Sequence, residues 1–133
     1  MSSMTFKKLT VILTLPLAIL GCIQFSTFNQ VSAAPFVKLD YGETRNGHHV
    51  FWYVDKGSLD LCDLYTGIEV NLENENYLEE HWIYKFFETK NGWGYTRIGY
   101  TGKGAQINTH EKTAGKLVAN NRLANDILYI ALH

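Results

Sequence analysis

Five histidines, two cysteines and thirteen carboxylates are the side chains of this 133-residue sequence best suited to chemistry. A histidine metal site needs imidazoles that converge. His48 and His49 are adjacent, so on a strand they point to opposite faces. His81, His110 and His133 stand alone, and Glu79-Glu80-His81 lacks the histidine partner that a helical zinc motif requires. Cys62 lies between Asp60 and Asp63, whose negative field disfavours a thiolate, so it reads as an inert thiol. Neither cysteine belongs to a C-x-x-C pair. Ser58 has no nucleophile elbow around it. Gly102-Lys103-Gly104 lacks the spacing and the following helix of a phosphate loop, and reads as a turn. No catalytic residue, cofactor-binding residue or metal ligand is assigned, and no cofactor is expected.

The carboxylates are numerous but unevenly spread. Asp60, Asp63, Glu69, Glu73, Glu75, Glu79 and Glu80 fall in a stretch from Ser58 to Tyr84 that contains no Lys or Arg, whereas bases outnumber acids from Lys85 onward. One reading is a weak calcium site or a docking face for a basic partner. The other, which is favoured, has the two halves pair as neighbouring strands and offset each other across a sheet. The overall charge of −1 gives no basic field for nucleic acid, and none is expected as a partner.

Elements must position these groups, and the first segment looks like an address instead. Lys7 and Lys8 precede an apolar run from Leu9 to Leu20, the n-region and h-region of a secretory signal. The run is too short for the roughly 20 residues that span a bilayer. Cleavage after Val31-Ser32-Ala33 makes 1–33 the signal and 34–133 a single domain. The alternative is Ile19-Leu20-Gly21-Cys22, which resembles a lipobox and would place a lipid on Cys22, the one route to membrane association. The favoured address is secreted or periplasmic. A chain that begins at Ala34 keeps only Cys62 and so has no internal disulfide.

Beyond the signal the pattern is mostly strand. Expected strands are 36–41, 49–55, 59–65, 68–72, 78–88 and 93–100, with turns at Gly42–Gly47, Asp55–Ser58, Asn91-Gly92 and Thr101–Gly104. Segment 78–88 also fits helical spacing, and its aromatic content decides for strand. Near the end, Asn120 or Asn121 can cap a helix whose stripe is Leu123, Ala124, Ile127, Leu128 and Ala131. The expected class is α+β, an antiparallel β-sheet with a C-terminal α-helix packed on one face. If Trp52, Trp82 and Trp93 face the core, the alternate set Tyr53, Tyr84 and Tyr95 would form an aromatic platform on the outer face, suited to protein or glycan contacts.

Three segments resemble the surface-adhesin protein E-like family of small secreted bacterial domains. They are Phe36-Val37-Lys38-Leu39, Tyr53-Val54-Asp55-Lys56-Gly57-Ser58-Leu59, and the closing stretch from Val118 to Leu128. The sequence departs from the family at two cysteines. One usually stands in the strand before the second half and the other at the end of the final helix; Trp93–Tyr100 has none, and Leu132 is near the terminal position. Asn120-Asn121 replaces the usual proline-glycine. The resemblance implies a secreted or surface-held domain built from an antiparallel sheet and a packed helix. Some members adhere to host matrix proteins, and no residue here is matched to that activity.

The resulting expectation is an exported, non-enzymatic module that binds a macromolecular partner at the envelope or outside the cell. The alternatives are a small secreted hydrolase or lyase using carboxylates of the acidic stretch, and a structural envelope lipoprotein lipidated at Cys22.

Overall fold

The computed structural model describes residues 35–133. The segment 1–33 expected to be a signal, the two expected cleavage sites and Cys22 lie outside them. Strands β1 (Phe36–Arg45), β2 (His48–Leu61), β3 (Thr66–Glu73), β4 (Leu78–Thr89) and β5 (Gly92–Thr101) form one antiparallel meander. Two short strands, β6 (Gln106–Ile107) and β7 (Lys116–Leu117), both pair with β5. A 3-10 turn at Val118–Asn120 leads into α1 (Arg122–Leu132), which contacts β2. The class is the α+β arrangement expected from the pattern.

Period-two alternation decides the two faces. Val50, Trp52 and Val54 of β2, Ile68, Val70 and Leu72 of β3, and Trp82, Tyr84 and Phe86 of β4 are buried, while the residues between them on β2 and β3 are only half-buried. Helix α1 adds Ala124, Ile127, Leu128 and Ala131 to the same core. The stripe read from the sequence is thus the docked one, with Leu123 packed at its margin. Asn121 is the cap: its side chain accepts a hydrogen bond from the Ala124 amide at 2.8 Å.

Several boundaries differ from the expected ones. The first turn is only Asn46-Gly47, both at positive φ (50° and 81°), so β1 continues through Gly42 to Arg45. Gly42 belongs to a register shift in the β1–β2 ladder, where a Cβ would stand 2.0 Å from the Val50 carbonyl oxygen. Asp55–Ser58 is likewise no chain reversal. β2 runs on to Leu61 with a register shift between Asp55 and Asp60, and the reversal comes at 62–65. The Ser58 hydroxyl supports this irregularity, donating to the Asp55 carbonyl at 2.6 Å and accepting from the Glu69 amide at 2.8 Å. Cys62 is disulfide-bonded and not the inert thiol expected.

Truncating Leu128 to Ala is expected to cost about 2–5 kcal/mol, and Asn121→Ala about 1 kcal/mol. Urea denaturation measures both, and an unchanged midpoint for Leu128→Ala would mean that α1 is not docked.

Candidate binding face

The face of the sheet opposite the core is built of rows of directly paired residues. One row runs Tyr53, Asn71, His81, Tyr100 across β2 to β5. The next runs Asp55, Glu69, Ile83, Ile98, with Phe36 of β1 at its end. A third holds Asp60, Gly67, Lys85 and Thr96. Helix α1 buries its stripe on the other side, so these side chains stay half-buried or exposed. Ile98 is 44% and Phe36 45% exposed.

Polar contacts order the centre of this face. His81 Nδ1 lies 2.7 Å from Asn71 Oδ1, and its Nε2 lies 3.3 Å from Glu69 Oε1. The Asn71 amide donates to Glu73 Oε2 at 3.2 Å, which fixes its oxygen toward the imidazole. Lys38 stands 4.1 Å from the Phe51 ring centroid, and Lys85 stands 4.7 Å from that of Tyr65.

The aromatic platform differs from the expected one. Tyr84 follows Trp82 by two residues and therefore shares its face. Tyr84 and Tyr95 are 1% and 2% exposed and stack with ring centroids 5.7 Å apart. Of the expected set only Tyr53 is on the outer face, where Tyr100 stands at the other end of its row. Trp52 and Trp82 are buried, and Trp93 packs against the core as a partly buried residue. Burial pushes the Tyr84 hydroxyl up to about 12.

The expected compensation between the acidic and basic halves does not occur at ion-pair distance. Among the described residues, Glu80 is the carboxylate of the acidic stretch that meets an arginine, and that arginine is Arg45 of β1. Arg97 and Lys116 turn instead to Glu111, and Arg122 to Asp126. Glu79 accepts from the Asn74 amide at 3.0 Å, and Asp60 Oδ1 is buried with no hydrogen-bond partner. No group of three or more His, Cys, Asp or Glu among the described residues could hold a metal ion. Gly102-Lys103-Gly104 forms the expected turn, closed by Gly104 N–H donating to Thr101 O at 2.8 Å.

Two inner-face groups went unread in the sequence. Arg97 shares the parity of Tyr95 and Gly99, so it points inward. Its guanidinium sits 4.3 Å from the Trp82 ring centroid and donates to Glu111 at 2.7 and 2.9 Å and to the Tyr84 hydroxyl at 3.2 Å. A charged residue at an inward parity position was the available signal for Arg97; Glu111 comes from the irregular segment after β6 and carried none. A cleft of about 390 Å³ lies between this pair and residues 106–110. Burial opposes ionisation of both groups, yet the hydrogen bonds between them prevail. Arg97 is held above its ordinary range and Glu111, helped by Lys116, below its own.

No family model, curated protein or solved structure matches the chain.

Because Glu111 is depressed in the folded state, its contribution to stability is present above the ordinary glutamate range and is lost as pH falls through the folded value. Glu111→Gln is therefore expected to lower the urea midpoint at pH 7 and to differ less from the parent near pH 3. A gap that is constant with pH would sink the assignment.

Proposed function

We propose that this protein is an exported, non-catalytic module that docks a protein partner on the outer face of its sheet, in the periplasm or outside the cell. The observation carrying the reading is the pair of rows in which Tyr53, Tyr100, Ile83 and Ile98 stand half-exposed on a rigid five-strand ladder. Tyrosine and isoleucine on strands offer contact area at low cost in side-chain entropy. The signal-like N-terminus supports the address, and the three segments resembling the surface-adhesin protein E-like family support the class. The carboxylates considered for hydrolase or lyase chemistry are engaged separately: Glu69 with His81, Glu73 with Asn71, Glu79 with Asn74, and Glu80 with Arg45 and Trp82.

The double variant Ile83→Ser/Ile98→Ser changes the outer face and leaves the core intact. It is expected to retain the unfolding midpoint within about 1 kcal/mol and to lose roughly tenfold or more in affinity for the envelope protein captured by the parent chain. Tyr129→Ser, on the exposed side of α1, is expected to keep that affinity. Equal retention by both variants, or no saturable capture by the parent, would overturn the reading. So would a reproducible turnover abolished by alanine at Glu69, Glu73, Glu79 and Glu80.

A further inference from the structure

We infer that the partner presented to this face is cationic: an extended polypeptide segment whose surface-facing side chains are Lys or Arg at one end and apolar at the other. This rests on the outer-face docking reading and adds the chemistry of the occupant. The row Asp55, Glu69, Ile83, Ile98 is itself amphipathic, with two carboxylates on β2 and β3 followed by two isoleucines on β4 and β5. At the usual strand spacing of about 4.8 Å it spans roughly 14 Å, which about five residues of extended chain can cross.

Among the described residues, no Lys or Arg comes within ion-pair distance of Asp55 or Glu69, and Asp55 accepts only the Gly57 amide at 2.9 Å. Asp55 and Glu69 are directly opposed across the β2–β3 ladder, an arrangement of like charges that destabilises a sheet. Glu73 extends the same sign beyond Asn71. The two lysines of this face rest on the Phe51 and Tyr65 rings and make no ion pair with these acids at contact distance. Glu69 has only the imidazole of His81. A partner bringing basic groups over Asp55 and Glu69, and apolar groups over Ile83, Ile98 and Tyr100, meets both halves. The same charges repel nucleic acid and anionic lipid.

The test uses the full chain and two synthetic probes, Lys-Ser-Lys-Ser-Leu-Ser-Leu (the Lys-Leu probe) and Glu-Ser-Glu-Ser-Leu-Ser-Leu (the Glu-Leu probe), whose alternate residues face one way, followed by amide NMR shifts at low and at physiological salt. The Lys-Leu probe is expected to shift Tyr53, Asp55, Glu69, Ile83 and Ile98 and to bind more weakly as salt rises. Asp55→Asn/Glu69→Gln should weaken it roughly three- to tenfold. Glu75→Gln/Glu88→Gln, the same charge change off these rows, should leave it within twofold. Equal weakening in both double variants, or no binding of the Lys-Leu probe, overturns the inference. Binding of the Glu-Leu probe to the same face, with affinity equal or greater, overturns the cationic partner but leaves the docking face standing. Shifts confined to α1 overturn both.

Discussion

The indole of Trp82 joins the apolar core of this domain to its buried charges. It occupies the space above Gly99, where a Cβ would come within 2.5 Å of the ring, so its position requires glycine on the neighbouring strand. Its ring nitrogen donates to Glu80 at 2.8 Å, and Glu80 in turn holds Arg45 of the first strand. Over the same ring system lies the Arg97 guanidinium, which fastens the segment around Glu111 to β5. One buried aromatic therefore coordinates β1, β4, β5 and the connection that follows β6. A guanidinium over an indole contributes only about 0.5–2 kcal/mol. What Trp82 adds is geometry, since it fixes where both arginines can stand.

The helix solves a different problem. A five-strand meander has one apolar face that must be covered, and among the described residues α1 is the amphipathic helix that covers it. Ala124, Ile127, Leu128 and Ala131 cover the β2 side, while Tyr84, Phe86 and Tyr95 fill the core farther along with stacked rings. Large aromatics bury much area per residue. That division lets a short helix suffice and leaves the second face free for other uses.

Much of this was legible in the residues. The helix and its stripe followed from spacing, its cap was narrowed to Asn120 or Asn121, and Asn46-Gly47 and Asn91-Gly92 marked true reversals. Segment 78–88 was a strand because Trp82, Tyr84 and Phe86 alternate, and the same alternation should have placed Tyr84 inside with Trp82. The Asp55–Ser58 stretch misled because a strand irregularity uses the same glycine and hydroxyl chemistry as a turn. The interior arginine was hidden for another reason. Its inward parity was visible on β5, but its partner Glu111, fourteen residues later in an irregular segment, left no local signature to make an inward arginine credible. The outer-face acids were visible as a charge run, but that Lys38 and Lys85 turn to the Phe51 and Tyr65 rings instead of to Asp55 and Glu69 required the register.

An open sheet ends in two borders where unpaired backbone could recruit another molecule and seed a fibril. Here one border is β1, whose ladder slips between Lys38 and Gly42 and whose exposed positions include Lys38, Asp40 and Glu43. The opposite border is broken into two dipeptide strands, β6 and β7, set at different heights along β5. Neither offers the long, flat, uncharged ribbon that polymerisation by strand addition needs, so the open sheet can leave one broad face uncovered without inviting a second copy to extend it at its borders.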